Sequence, residues 1–271
     1  MKIINLLKYN LFSLLHIQKK KKDKYYICLI TIDMSLNIEL IYRTLLVSLL
    51  DYSAVQSVKF IPKQITPIYS SGLSSGIVID IGYNNTTITP ILDGFPILKC
   101  SRTLSVGGLV LEKLAKRYIV DDTNYYKEGK PKIKNMDLFL KGLTKYLGDI
   151  VVRAGIIVNK KLSLLLRDSN EEANLKSEFS RIDIYSDIQD FQLSFLNRVL
   201  LGEKFFGDYE EEKENIAYSL LKVIQDLPCE ARKTASQNIV LSGGGSMLLG
   251  CYKRMVSHYI SKLIIKYILL Y

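Results

Sequence analysis

Two apolar stretches far apart in the chain end in turns that could hold an anion. The first is Gly76-Ile77-Val78-Ile79-Asp80-Ile81-Gly82-Tyr83-Asn84-Asn85-Thr86-Thr87, followed by an apolar run to Pro90. The second is Asn238-Ile239-Val240-Leu241-Ser242-Gly243-Gly244-Gly245-Ser246-Met247, running on to Gly250. In each, a short β-branched run reads as a buried strand that stops at residues able to take unusual backbone angles. Asp80 falls where the first strand ends, and Gly82 lets backbone amides approach an anion. Together, in this order, the two segments predict the two halves of one nucleotide cleft.

Other chemistries have little material. His16 and His258 are the only histidines, so histidine-based metal or triad sites are not expected. Cys28, Cys100, Cys229 and Cys251 have no paired spacing and read as buried, reduced thiols of a cytosolic protein. The 37 Lys plus Arg against 27 acids give a formal charge of +10, which invites a nucleic-acid reading. The excess is spread along the chain, however, and the one dense block, Lys19 to Lys24 broken by Asp23, lacks interleaved aromatic or arginine residues. A solvated basic surface is the preferred reading, with no nucleic-acid partner. No apolar run reaches the roughly 18 residues of a membrane-spanning helix, so no span is expected. The apolar Ile3 to Ile17 stretch has its positive charge after it, the reverse of a secretory signal.

The elements that must position the two turns follow from pattern. Tyr25 to Ile32 reads as a strand, Asn37 to Leu50 as a helix and Val55 to Ile61 as a strand that Pro62 ends. Strand, helix, strand favours a parallel pair with a crossover helix, hence an α/β fold. Ser70 to Gly76 is a polar joint. Ile77 to Ile81, Thr86 to Leu92 and Pro96 to Cys100 predict an antiparallel meander, with turns at Tyr83-Asn84-Asn85 and Asp93-Gly94. Val106-Gly107-Gly108 opens a helix over Leu109 to Tyr118. Leu138 to Ile157 is expected to be helical, as is Asn215 to Asp226, introduced by the acidic run Asp208 to Glu214. Pro228 breaks that helix, and Glu230 to Ser236 is a short helical or loop segment before the strand Asn238 to Leu241. Met247 to Tyr271 reads as a basic amphipathic helix.

These residues resemble the actin superfamily. The resemblance rests on Tyr69-Ser70-Ser71-Gly72, Gly76 to Gly82, Pro90-Ile91-Leu92-Asp93-Gly94, Val106-Gly107-Gly108, and Asn238 to Met247 with Gly250. Asp80-Ile81-Gly82-Tyr83, Gly94-Phe95-Pro96-Ile97-Leu98-Lys99-Cys100 and Leu227-Pro228-Cys229-Glu230-Ala231-Arg232-Lys233 are most similar to the divergent actin-related branch at the pointed end of dynactin. The implied fold is actin-like (ribonuclease H-like) α/β: a partial small lobe plus a large lobe with a mixed sheet and flanking helices. The implied division is 1–23 as a basic apolar extension, 24–71 as part of the small lobe, 72–108 and 215–271 as the large-lobe core, and 109–214 as its divergent outer subdomain. The first phosphate loop has no counterpart before Tyr25 and the closing small-lobe segment none after Tyr271. The chain therefore reads as a reduced member or an incomplete gene product.

Actins hold magnesium-ATP between two phosphate hairpins. The resemblance carries the metal-water acid to Asp80, an amide-presenting glycine to Gly82, and the glycines beside the adenosine end to Gly243 and Gly244. Tyr83 replaces the hairpin's second acid, Lys63 stands where the catalytic glutamine belongs, and Gln64 would point elsewhere. Leu109 and Val110 replace an Arg-Asp pair, and Val151 and Val152 a Lys-Glu pair. Hydrolysis and a bound cofactor are not expected. Asp80, Gly82, Gly243 and Gly244 form a vestigial cleft, the positions where ATP contact would survive. The local alternatives are a carboxylate capping hairpin amides at Asp80 and a packing turn at Gly243 to Gly245. The implied role is a non-catalytic structural subunit in the cytoplasm and cytoskeleton. It would cap dynactin's actin-like filament beside the other pointed-end subunits and serve dynein indirectly. The alternative is an actin-fold ATP-binding protein, a diverged actin or a chromatin-remodelling actin-related protein.

Overall fold

The computed structural model describes residues 26–32, 39–50, 55–125, 144, 147–158, 179–181, 192–206 and 215–257. The N-terminal segment with Lys19 to Lys22, the polar loops around Lys127 to Lys134 and Asp168 to Asn174, the acidic run Asp208 to Glu214 and the tail after Ser257 lie outside them. So do the first residues of the helix expected from Leu138.

The first unit is β1 (Tyr26–Ile32), α1 (Glu39–Leu50) and β2 (Val55–Pro62). The two strands pair in parallel, as a crossover helix requires. Tyr42 of α1 sets its ring against Phe60 of β2, centroids 6.0 Å apart. Pro62, without an amide hydrogen to donate, closes β2 into a 3-10 turn over Lys63–Ile65 and the short helix α2 (Thr66–Ser70), which carries Pro67 in its first turn.

The second unit is a mixed five-stranded sheet: β3 (Gly76–Ile81), β4 (Thr86–Leu92), β5 (Phe95–Pro96), β6 (Arg102–Leu104) and β9 (Ile239–Ser242). Its order is β5-β4-β3-β9, with β6 also on β4. β3 runs antiparallel to β4 and parallel to β9, with Ile77 opposite Ile239 and Asp80 opposite Ser242. At its entry, Asn238 Nδ2 donates to Ser75 O, 163 residues away in sequence. Alternation along β3 sends Ile77, Ile79 and Ile81 into the main core. Val78 goes to the opposite face, into a smaller cluster with Ile65, Ile68 and Ile91.

The meander differs from expectation after its second strand. Asp93 and Gly94 take positive φ values of 49° and 82° in the tight turn, and β5 lasts two residues. Pro96 cannot donate to the ladder, and Leu98–Cys100 form a 3-10 turn instead of a strand. Pairing with β4 resumes at Arg102. Ser101 bridges the gap, its hydroxyl 3.0 Å from that of Thr89 and donating to Ile88 O at 3.2 Å.

Helices cover the main-core face. In α3 (Gly108–Tyr125) Leu111, Ala115 and Ile119 are buried at helical spacing. In α4 (Leu147–Ala154) Leu147, Ile150, Val151 and Ala154 are buried. β7 (Phe179–Arg181) and β8 (Gln192–Ser194) form a separate antiparallel pair, and α5 (Phe195–Glu203) follows. α6 (Ile216–Asp226) is capped by Asn215, whose Oδ1 accepts from Ala217 N at 2.8 Å. It ends before Pro228, which opens α7 (Cys229–Gln237). Arg232 of α7 donates to Leu227 O and Gln225 O, at 2.9 and 2.8 Å, satisfying carbonyls that the end of α6 leaves open.

Two further expectations are corrected. The last helix does not begin at Met247. Gly244–Met247 form a 3-10 turn, Leu249 bridges to Ile156, and Gly250 takes φ 89°. The helix α8 then spans residues 251–257. Nor are the thiols uniformly buried: Cys251 is, Cys100 is half-buried and Cys229 is exposed. Burial pushes the Cys251 thiol up to about 11. No helix among the described residues is long and apolar enough to cross a membrane.

Arg254 of α8 locks this end of the molecule. Fully buried, it pairs with Glu203 of α5 at 3.1 Å. It also donates to Val158 O at 2.9 Å and lies over the Phe206 ring at 5.4 Å. Arg254→Leu would take the guanidinium away from the buried Glu203 carboxylate, so chemical unfolding should show a loss of about 3–5 kcal/mol. Arg254→Leu combined with Glu203→Leu should recover much of it. A double variant no better than the single would mean that packing, not charge, sets the cost.

Candidate functional site

The site lies where β2 ends beside the ends of β3 and β9. Asp80 is the fifth residue of β3 and shares the Val78 face, turned away from the main core and towards the 3-10 turn. Lys63, first residue of that turn, brings its Nζ to 3.9 Å from Asp80 Oδ2. The two side chains are 37% and 31% exposed, so water screens the pair, and its worth is at most about 1 kcal/mol. Gln64, the next residue, is buried. The carboxylate of Asp80 therefore faces an ammonium rather than capping the hairpin amides, as one sequence alternative had it.

The hairpin after β3 closes on itself and on α3. Gly82 N donates to Asn85 O at 3.0 Å, so this amide is spent within the turn. The turn's carbonyls receive the first amides of α3, Gly108 N to Gly82 O at 3.0 Å and Leu109 N to Tyr83 O at 2.8 Å. Those amides have no intrahelical acceptor, and the hairpin supplies one. Gly107 is needed for the fit, because a Cβ there would lie 2.6 Å from Tyr83 O and 2.7 Å from Asn85 N. The buried Thr86 hydroxyl donates to Val106 O at 2.7 Å. Tyr83, exposed, donates its hydroxyl to Glu112 Oε2 at 2.9 Å. That hydrogen bond first, then desolvation and the carboxylate's charge, holds the Tyr83 phenol above its ordinary range.

The second glycine-rich turn meets the first directly. Gly243 has φ 85°, and a Cβ on it would run into Ile81 O and lie 2.6 Å from Asp80 Oδ1. Gly245 packs on the Ile81 side chain. Ser246 folds back, its hydroxyl donating to Gly243 O at 2.7 Å. Gly244 is different: it is exposed, and a Cβ there would meet nothing within 4 Å.

Asp80, Gly82, Gly243 and Gly244 are thus neighbours at one end of the sheet. Val151, read as replacing a charged contact, is buried in the core, while Val152 is exposed. Sequence reasoning missed two participants. Lys63 was seen as a replacement but not as the partner of Asp80, and Glu112 was not singled out. Its place one helical turn after Gly108 was the available signal. Chemically, the arrangement offers one carboxylate beside one ammonium, with backbone closely packed around them. No group of three or more His, Cys, Asp or Glu side chains gathers to hold a metal among the described residues.

The family model described as Actin matches residues 3–146, more than half of the 271-residue chain. Actin-related protein 10 of Dictyostelium discoideum is 27% identical over 201 residues, 68% of this chain and 42% of that protein. Actin-related protein 2 of Oryza sativa subsp. indica is 24% identical over 209 residues, 69% of this chain and 44% of that protein. A shorter stretch of 41 residues, 15% of this chain and 8% of the relative, is 51% identical to the SWI/SNF and RSC complexes subunit arp9 of Schizosaccharomyces pombe. The chain spans less than half the length of the first two relatives.

The two glycines make a paired test. Gly243→Ala should destabilise the protein by more than the roughly 1–3 kcal/mol of a non-glycine residue in this extended positive-φ conformation (φ 85°, ψ 162°), since the Ile81 carbonyl is also in the way. Gly244→Ala should be neutral within about 0.5 kcal/mol. Urea unfolding of both variants checks this, and equal costs would contradict the packing described.

Proposed function

Because this chain belongs to the actin family, we propose that it is a non-catalytic, actin-related structural subunit of dynactin's pointed-end complex. In this role it caps the actin-like filament in the cytoplasm and supports dynein-driven transport along microtubules. In this reading 24–71 belong to the small lobe, 72–108 and 215–271 to the large-lobe core, and 109–214 to an outer subdomain with a changed surface. Residues 1–23 extend the chain.

The observation that carries the reading is the state of the cleft. A family ATPase site needs acids for metal-bound water and a group that positions the attacking water. Here an ammonium faces the one matching acid, Asp80, and Tyr83 is hydrogen-bonded to Glu112 where the second acid belongs. A subunit with such a site is suited to holding a place in an assembly rather than cycling nucleotide. The similarity to Actin-related protein 10 agrees with the branch that the motifs resemble.

A contact surface is available. Tyr69 of α2 and Phe95 of β5 are exposed, 52% and 75%, and Leu98, shortly after Phe95, is exposed as well. Tyr69 reaches Gly94 at the tip of the β4–β5 turn, so the two rings border one turn. Exposed aromatic residues of this kind are common anchors of protein interfaces.

The second reading, an ATP-binding actin-related subunit of a chromatin-remodelling complex, is favoured by the 51% identical stretch shared with arp9. Affinity purification of the tagged chain from its own cells separates the two. Dynactin subunits should accompany it, and Phe95→Ala should reduce their recovery several-fold, as loss of an interface anchor worth more than about 1 kcal/mol would. Remodelling-complex subunits in their place would overturn the proposal.

A further inference from the structure

We infer that Lys63 is a built-in counter-cation for Asp80, and that the site takes no divalent cation. The inference deepens the proposed reading and rests on it for the match of Asp80 to the family's metal-water acid.

The residues present do not fit magnesium. That ion demands near-octahedral oxygen coordination and relies on carboxylates to hold it and its waters. Asp80 is a single carboxylate with a cation beside one oxygen and closely packed backbone beside the other. Oδ2 faces the Lys63 ammonium at 3.9 Å, and the Gly243 backbone lies against Oδ1, where a Cβ would be only 2.6 Å away. A dication approaching Asp80 would meet the Lys63 ammonium within ion-pairing range of the same carboxylate, and the repulsion opposes its entry. At the neighbouring turn the Tyr83 hydroxyl is committed to Glu112. The Gly82 amide is committed to Asn85, and the first amides of α3 to the turn's carbonyls.

The ion pair also connects two sheets. Lys63 follows β2 of the parallel pair, and Asp80 ends β3 of the mixed sheet. In actins a bound nucleotide and its metal lie between such elements. Here a side-chain pair belonging to the chain spans them, placing a positive charge where a metal would otherwise lie. A subunit that caps a filament permanently has use for a cleft whose state never changes.

Manganese, which is visible by electron paramagnetic resonance, probes the site directly on the purified full chain with whatever partners accompany it. The wild type should leave added Mn2+ free in solution. Lys63→Gln and Lys63→Met should each bind Mn2+ at least about tenfold more tightly, because both remove the charge, whereas Lys63→Arg should behave as wild type. Adding Asp80→Asn to Lys63→Gln should abolish the gain. Wild-type binding as tight as that of Lys63→Gln would overturn the inference, as would a gain that survives Asp80→Asn. If Lys63→Gln fails to fold, the comparison of Lys63→Met with Lys63→Arg decides alone. Recovery of remodelling subunits with an unchanged manganese result would remove the dynactin role and leave this inference standing.

Discussion

The parallel pairing of β3 with β9 brings together two strands that most of the chain separates, and the candidate site is a consequence of its register. Ile77 opposes Ile239 and Asp80 opposes Ser242. In that register Ile77, Ile79 and Ile81 enter the core formed with α3, α4 and α6, while Val78 enters the smaller cluster behind the β2 turn. A slip of one residue would exchange the two faces, moving three isoleucines to the Val78 side and driving Asp80 into the main apolar core. Burying an unpaired carboxylate there is costly, so the register is strongly specified. The place of Asp80 opposite Lys63 follows from that specification.

Close approach of backbone is the second requirement, and glycine meets it at two points. Gly107 lets the first turn of α3 dock on the β3–β4 hairpin, and Gly243 lets the turn after β9 lie against Ile81 and Asp80. The hairpin's carbonyls and the helix's amides then satisfy each other. The Gly82 amide and the first amides of α3, which could be offered to a ligand, are absorbed by the fold. The family resemblance and this self-satisfaction are compatible: the geometry is retained, while the charges needed for metal and water chemistry are rearranged around Lys63, Tyr83 and Glu112.

Much of the architecture was legible from local pattern. β1, α1, β2, β3, β4 and α6 lie within a residue or two of where periodicity, Pro62 and Asn215 place them, because core alternation and caps are local signals. The third meander strand was not, since Pro96 and the Thr89–Ser101 bridge divide it into β5, a turn and β6. α3 runs on to Tyr125, beyond the apolar pattern that ends at Tyr118. The start of α8 was misplaced because the bridge between Leu249 and Ile156 is a long-range contact. In the site, the meeting of the two glycine-rich turns was readable from their strand-and-turn pattern. The Lys63 and Glu112 contacts were not, as both depend on how separate elements pack.

Oxidative cross-linking of an Asp80→Cys, Ser242→Cys pair, in a chain whose own cysteines are replaced, tests the β3–β9 register most directly. The account predicts rapid formation of an intrachain disulfide under native conditions, lost on unfolding, and a far slower reaction for Asp80→Cys paired with an exposed cysteine at Met247. Failure of the first pair to close in folded protein, or equal rates for the two pairs, would contradict the register and the site built upon it.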